Sequence, residues 1–89
     1  MYYVYILRCS DDSLYCGQTK NLQRRITEHN FDKNKSAKYL RGRLPARLVY
    51  SEKCRTLSEA LKKEAEIKKL SKEKKETLVK NRPAKKTVL

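Results

Sequence analysis

The stretch that decides the fold is YVYILRCSDDSLYCGQTKNLQRRITEH, which covers residues 3–29. Residues 2–7 form a continuous apolar and aromatic run, and this composition predicts a buried strand. Residues 10–13 are short and polar, which predicts a turn because such side chains can bond their own backbone. A second strand is predicted over residues 14–18, so the stretch begins as an antiparallel hairpin.

A helix is predicted directly after this hairpin. Asn21, or Thr19 before it, can cap a helix that extends to about His29. Leu22 and Ile26 lie four residues apart, so both side chains are expected to face the core.

The rest of the chain predicts further short elements around the same core. These are a short helix (37–41), a third strand (46–50), a capped helix (56–70) and a last helix (71–81). The capped helix begins at Thr56, which forms a capping box with Glu59. The order ββα(α)βαα predicts one small α+β domain over residues 1–81, in which helices cover a short antiparallel sheet. Residues 82–89 are expected to be a short, mobile basic tail.

The charge of the chain indicates a polyanionic partner. The 89 residues carry a formal net charge of +13, from 23 Lys and Arg against 10 Asp and Glu. Basic groups bind nucleic acid through its phosphates, and an anionic membrane surface is the competing partner. Residues 1–32 are neutral overall, so all of the excess charge lies in residues 33–89.

The three cysteines give no pattern of a zinc site or of a disulfide framework. Cys9, Cys16 and Cys54 are odd in number and widely spaced, and there is a single histidine. We expect three reduced, mostly buried thiols in a cytoplasmic protein. No signal peptide or membrane-spanning segment is expected.

Glu64 does not fit a purely structural pattern. Ala60, Leu61, Ile67 and Leu70 mark the apolar stripe of its helix, and Glu64 lies on the same stripe. An inward carboxylate costs free energy unless it is paired or binds a metal. Two interpretations stay open: an edge position paired with a lysine, or a ligand of Mg²⁺, which is commonly held by one carboxylate with waters and substrate oxygens.

Four other side chains suit phosphate chemistry. Arg25 and His29 lie four residues apart on one helix face; an arginine can hold a phosphate, and a neutral histidine can accept a proton from water. A solvated helix face is the alternative. Tyr5 and Tyr15 lie in the two strands of the hairpin, where they either fill a core edge or orient a water or phosphate oxygen.

In combination these residues resemble a GIY-YIG nuclease domain. The triplets Tyr3-Val4-Tyr5 and Tyr15-Cys16-Gly17 stand where the two motif triplets belong, although Tyr3 replaces the glycine and Cys16 replaces the usual isoleucine. The segment EALKKE (59–64) is similar to the helix that carries the family's single glutamate. The resemblance covers about residues 2–80 and is greatest for the short, stand-alone, YhbQ-like bacterial proteins of the family.

The resemblance implies a three-stranded antiparallel sheet flanked by helices, and hydrolysis of phosphodiester bonds with one Mg²⁺ or Mn²⁺ per site. Tyr5 and Tyr15 correspond to the motif tyrosines, one of which would orient or activate the attacking water. Arg25 corresponds to the catalytic arginine, His29 to a residue that assists proton transfer or phosphate binding, and Glu64 to the metal ligand.

We therefore expect a metal-dependent endonuclease that acts on DNA rather than RNA, on branched, single-stranded or damaged structures. Substrate recognition would use the basic surface of the domain, or a protein partner for targeting, and no membrane. The phosphate-binding residues are expected to be Lys33, Lys35, Lys38, Arg41 and Arg43. Two alternatives are a non-catalytic module that binds DNA or RNA with the same fold, and a subunit that regulates another nuclease through protein contacts.

Overall fold

The computed structural model describes residues 1–81, and the predicted basic tail over residues 82–89 lies outside the described residues. Within residues 1–81, no helix combines the length and the apolar content needed to cross a membrane. The structure has three strands and three α-helices, in the order β1, β2, α1, β3, α2, α3, with one 3-10 turn before β3. This is the α+β class that the sequence predicts.

The three strands form one antiparallel sheet with β1 at its centre. The strands are β1 (Tyr2–Arg8), β2 (Leu14–Thr19) and β3 (Arg47–Cys54), in the spatial order β2-β1-β3. A central strand is buried on both faces, which is why β1 is continuously apolar rather than alternating. The sequence predicts a third strand of only residues 46–50; the observed strand continues to Cys54, because residues 51–54 pair with the first half of β1.

The helices begin at side-chain caps. Asn21 caps α1 (Leu22–Phe31) by accepting a hydrogen bond from the Arg24 amide at 3.1 Å. Thr56 caps α2 (Leu57–Lys68), and Ser71 precedes α3 (Lys72–Asn81) and accepts from the Lys74 amide.

Only half of the capping box predicted at the start of α2 is formed. The Thr56 hydroxyl accepts a hydrogen bond from the Glu59 amide at 3.1 Å. The Glu59 carboxylate accepts from the amide of Arg55, one residue before the cap, at 2.9 Å. Thr56 therefore satisfies the amide of Glu59, but Glu59 satisfies the amide of Arg55 rather than that of Thr56.

The two faces of the sheet carry separate clusters of buried residues. On one face, Val4 and Ile6 of β1 pack with Ala60 and Ile67 of α2. On the other, Tyr5 and Leu7 pack with residues of α1, the 3-10 turn and the approach to β3, which are Ile26, Leu40 and Ala46. All three cysteines are buried and free, as expected.

Two residues of the predicted apolar stripe are not in the core: Leu61 on α2, and Leu70, which is half-buried and lies beyond the end of α2 at Lys68. Leu61 is 47% exposed, whereas Ala60 and Ile67 are fully or almost fully buried. The sheet covers a narrow strip of α2, and residue 61 is rotated about 100° from residue 60, so its side chain lies outside that strip.

Candidate active site

The site is centred on Tyr5, Tyr15 and Gly17, which lie on one face of the hairpin. The register pairs Tyr5 with Gly17 and Leu7 with Tyr15, so the tyrosines are diagonal neighbours with ring centroids 6.4 Å apart. Tyr5 is only 1% exposed, and Tyr15 is half-buried. A Cβ at residue 17 would lie 2.6 Å from the Tyr5 hydroxyl oxygen, so glycine is needed to make room for the Tyr5 ring.

His29 is fully buried against the tyrosines and does not lie on a solvated helix face. Its Nε2 lies 2.8 Å from the Tyr5 hydroxyl oxygen, and its Nδ1 accepts a hydrogen bond from the Ala37 amide at 3.3 Å. A backbone amide can only donate, so the hydrogen of the neutral imidazole is on Nε2 and is donated to Tyr5. The hydroxyl hydrogen of Tyr5 is therefore directed away from His29.

The buried site keeps these groups uncharged at neutral pH. Burial, followed by the positive charge of Arg25, lowers the pKa of His29 to about 4. Burial also raises the pKa of Tyr5 and of Tyr15 above the usual value for tyrosine. The charge of Arg25 opposes this increase in the pKa of both tyrosines, which places its guanidinium close to them.

Arg25 is held at the edge of the site by two hydrogen bonds. Its Nη1 donates to the Glu28 carboxylate at 3.1 Å and to the Lys35 carbonyl oxygen at 2.8 Å. The side chain keeps 29% of its surface exposed. A guanidinium with remaining donors at a partly open position can bind a phosphate oxygen.

Glu64 approaches the tyrosines from α2, which packs on the other face of the sheet. Its side chain is 17% exposed, and its carboxylate lies 2.9 Å from the Lys68 ammonium. The lysine pairing that the sequence left open is therefore present. The negative charge of Glu64 also contributes to the raised pKa values of Tyr5, Tyr15 and Cys16, which places the carboxylate near all three.

Tyr39 and Arg43 extend the site from Tyr15 toward solvent. The ring of Tyr39 stacks on Tyr15, with centroids 5.8 Å apart and planes inclined by 27°. The guanidinium of Arg43 lies 4.4 Å from the centroid of the Tyr39 ring and is paired with Asp11 at 3.1 Å. One of the predicted phosphate-binding residues, Arg43, is thus already engaged in these contacts.

The other predicted phosphate-binding residues lie on the same segment between α1 and β3. Lys35 is 56% exposed, and its ammonium lies 3.8 Å from the Glu28 carboxylate. Three of the set are exposed and form no ion pair within residues 1–81: Lys33, Lys38 and Arg41. The structure therefore leaves these three cations the most available to a polyanion.

Sequence comparison assigns the chain to a family. The family model of the GIY-YIG catalytic domain matches residues 1–77. The chain belongs to the GIY-YIG family.

Its similar relatives are short proteins of the same kind. A UPF0213 protein of Desulfotalea psychrophila is 54% identical over 89% of this chain and 71% of its own length. A UPF0213 protein of Natronomonas pharaonis is 50% identical over 88% of this chain and 89% of its own. The solution NMR structure of a UPF0213 protein from Bacillus halodurans has a TM-score of 0.61 and 46% identity, and covers 94% of this chain and 88% of that one.

Members of the GIY-YIG family are generally endonucleases that use a divalent metal. Residues 1–81 contain no group of three or more His, Cys, Asp or Glu side chains that could enclose an ion. A single partly buried carboxylate fits a more open site, in which waters and substrate oxygens complete the coordination. Glu64 would hold the ion there, and its ion pair with Lys68 would break when the ion binds.

Two further residues that support the site were not found from the sequence. Ala37 supplies the amide that fixes the His29 ring, and an alanine backbone carries no sequence signal. Asn30 donates to the Ala46 carbonyl oxygen at 2.9 Å and accepts from the Ala46 amide at 2.8 Å, which joins α1 to the start of β3. An asparagine in the last turn of a helix is the one signal that could have indicated such a backbone contact, because its side chain readily bonds nearby backbone groups.

Proposed function

We propose that this GIY-YIG protein is a divalent-metal-dependent endonuclease that hydrolyses phosphodiester bonds in DNA, with Tyr5, Tyr15, Arg25, His29 and Glu64 as its catalytic group. The observation that supports the proposal is the convergence of five residues from four elements, β1, β2, α1 and α2, around one buried hydrogen bond. That bond joins the Tyr5 hydroxyl to His29 over 2.8 Å.

The reaction requires a positioned water, stabilised phosphate charge and protonation of the leaving oxygen. The water oxygen forms a bond to phosphorus while the bond from phosphorus to the leaving oxygen breaks. The proton lost by the attacking water passes to bulk water, and the leaving oxygen takes a proton from bulk water. Arg25 would bind a non-bridging phosphate oxygen and stabilise the charge that develops on it. A divalent ion held by Glu64 would supply Lewis-acid stabilisation of the same charge.

The tyrosines would position the water. The Tyr5 oxygen already accepts a hydrogen bond from His29, so its hydroxyl hydrogen remains available to a phosphate oxygen or a water. Tyr15 is half-buried, so its hydroxyl can reach a water at the edge of the site. Burial raises the pKa of both hydroxyls and Arg25 only partly opposes it, so both tyrosines stay protonated and would position the water by hydrogen bonding. His29 would act through Tyr5, because it is buried and its Nε2 is hydrogen-bonded to the Tyr5 hydroxyl.

A non-catalytic nucleic-acid-binding module is the second candidate function. The ion pair between Glu64 and Lys68 favours it, because a carboxylate engaged by a lysine must release that lysine before it binds a metal. The exposed cations Lys33, Lys38 and Arg41 suit either function, and they suit RNA as well as DNA.

A cleavage assay separates the two functions. Single-stranded, duplex and branched DNA, with an RNA oligonucleotide of matched sequence, would be incubated with Mg²⁺ or Mn²⁺ and with EDTA. We expect metal-dependent cutting that falls by about 100-fold or more in Glu64→Gln and Arg25→Ala. Each variant has a matched control on the same helix. The control for Glu64→Gln is Glu66→Gln, at an exposed position of α2. The control for Arg25→Ala is Arg24→Ala on α1, whose side chain is 70% exposed.

Binding would be followed on the same substrates. Cutting that is lost in both site variants, with binding retained, would support the nuclease and the roles of Glu64 and Arg25. Binding without cutting of any substrate would replace the nuclease with the binding module. Cutting that persists in Glu64→Gln at the wild-type rate would show that the proposed metal ligand is wrong.

A further inference from the structure

A groove lies directly behind His29, between the end of α1 and the segment that leads to β3. Its volume is about 660 Å³, which is within the range of small-ligand sites. Phe31 and Leu44 contribute apolar surface to its walls, and His29 forms part of its lining. The groove and the candidate active site therefore share one residue, whose Nε2 is bonded to Tyr5.

Phe31 is the most exposed large apolar side chain of the described residues, at 76%. It borders this groove and also a second groove, of about 370 Å³, that is lined by Arg8, Pro45 and Arg47. An aromatic ring that projects between two open grooves has a free face for another planar group. Nucleobases stack on such rings regardless of base identity, because every base has a π face.

Two polar side chains in the groove have no partner in the described part of the chain. The Ser36 hydroxyl oxygen is buried and makes no hydrogen bond within residues 1–81. The side-chain amide of Asn34 also makes none there, although its backbone amide donates to Asp32. The Ser36 hydroxyl is closed to solvent, whereas Asn34 is exposed and lines the groove, so the free Asn34 side-chain amide can donate to and accept from a ligand with polar edges.

The charges at the groove fit a single phosphate. Lys33 and Arg41 both line it and form no ion pair within residues 1–81. The one acidic group of the lining, Asp32, already accepts hydrogen bonds from the amides of Asn34 at 3.0 Å and of Lys35 at 3.2 Å. The two basic side chains therefore remain available to an anionic ligand.

We propose that this groove holds one unpaired nucleotide of the substrate strand. Its base would stack on Phe31 and meet the Asn34 side-chain amide with its polar edge, while Lys33 and Arg41 would neutralise its phosphate. The proposal rests on the proposed function in one respect, that the substrate is a nucleic acid. It also specifies the substrate of that function: the preferred substrates would be strands with unpaired or everted bases rather than intact duplex.

The test measures binding without cutting, in EDTA, by fluorescence anisotropy on the full chain. The probes are a short labelled oligothymidylate, an oligomer of equal length and charge made of abasic sites, and a blunt duplex. The wild type is expected to bind the oligothymidylate roughly 5- to 30-fold more tightly than the abasic oligomer, as for stacking of one base. Phe31→Ala should abolish this preference, and Phe31→Trp should retain it.

Two more variants complete the test. Leu61→Ala removes an apolar side chain that is 47% exposed on α2 and does not line the groove, so it should leave the preference unchanged. Asn34→Ala should reduce the preference without changing the affinity for the abasic oligomer. Phe31 is exposed, so its replacement is not expected to unfold the protein.

The outcomes distinguish this proposal from the proposed function. Equal affinity of the wild type for the oligothymidylate and the abasic oligomer, or a preference that survives Phe31→Ala, would overturn the nucleotide groove and leave the nuclease intact. Base-dependent binding that disappears in Phe31→Ala would support the groove even if no substrate is cut. Absence of binding to every oligonucleotide would overturn both.

Discussion

At the residue scale, the site depends on the absence of a side chain at residue 17. Tyr5 is fixed by the core below it and by His29 at its hydroxyl, so its ring has little freedom to move away from a new methyl group. The second triplet of the motif thus ends in glycine for a steric reason that lies in the neighbouring strand. Local backbone conformation is not the reason, since Gly17 lies within the regular strand β2.

We expect Gly17→Ala to destabilise the protein by about 1–3 kcal/mol, as overpacking of a buried position does, and to abolish cleavage by displacing Tyr5. The control is Gly42→Ala. Residue 42 has φ of +78° and open space around its Cα, so alanine there introduces backbone strain without touching the site. Urea unfolding measures the stability of both variants. Normal activity in Gly17→Ala would contradict the steric role of the glycine.

The buried His29 predicts a pH dependence of stability. Its folded pKa, about 4, lies below the unfolded value of about 6.5, so the unfolded chain binds more protons between these values. The free energy of unfolding therefore falls as the pH decreases from 6.5 toward 4. The part lost between pH 6.5 and 5.5 is about 1 kcal/mol.

Urea unfolding of the wild type and of His29→Gln at several pH values measures how much His29 contributes to the pH dependence of the free energy of unfolding. The variant should be less stable at pH 7 and should lose less stability than the wild type between pH 6.5 and 5.5. The hydrogen bond with Arg25 lowers the pKa of the Glu28 carboxyl, so this group stays ionised between pH 6.5 and 5.5. Its protonation therefore does not mask the difference between the two proteins over this pH range. Parallel pH profiles for the two proteins would show that His29 is not held in the neutral form.

At the element scale, α1 and the approach to β3 are joined by one side chain. The Asn30 amide bridges the Ile26 carbonyl oxygen of α1 and both backbone groups of buried Ala46. The segment between these two elements carries Ala37, whose amide holds His29. The bridge therefore helps to define the position of the segment that orients the histidine.

Asn30→Ala is expected to lower the free energy of unfolding by about 2–4 kcal/mol, because the Ala46 amide and carbonyl oxygen would both lose their partner in a buried position. It should also weaken the contact between Ala37 and His29, which would alter the ¹⁵N chemical shifts of the His29 ring. Gln23→Ala, an exposed position on the same helix, is the control. A loss of stability no larger than in the control would contradict the bridging role.

At the scale of the whole molecule, the positive charge is distributed over several elements. Exposed lysines of α2, its C-cap and α3 add to those before β3: Lys62, Lys68, Lys69, Lys72, Lys74 and Lys80. Such a surface binds polyanions mainly by releasing their counterions, and the affinity then depends steeply on salt. Cations that are already paired release fewer counterions when they bind.

DNA affinity is therefore expected to fall linearly with salt concentration on a double logarithmic scale. Lys38→Ala and Arg41→Ala should each reduce the slope by about 1, because both side chains are unpaired in the described part of the chain. Arg43→Ala should change it less, since its guanidinium already contacts Asp11 and Tyr39. Titrations at four or more salt concentrations measure the slopes, and equal effects of Arg41 and Arg43 would contradict this ranking.

The sequence by itself determined which elements form and in what order. The apolar run of β1, the turn after it and the caps at Asn21 and Thr56 are local signals, and the structure confirms each of them. The family also follows from the sequence, because the two triplets and the helix with Glu64 occur at the expected positions. Element ends were less well predicted: β3 is longer than expected because its last residues depend on pairing with β1.

The tertiary structure alone decided how the candidate site is assembled. The sheet register placed Tyr5 opposite Gly17 and beside Tyr15, and the packing of α1 buried His29 against the Tyr5 hydroxyl. These contacts join residues up to 24 positions apart, so no periodic pattern in one segment encodes them. Burial then decided the protonation of His29, because the cost of placing a charge away from water depends on all the surrounding elements and not on neighbours in the chain.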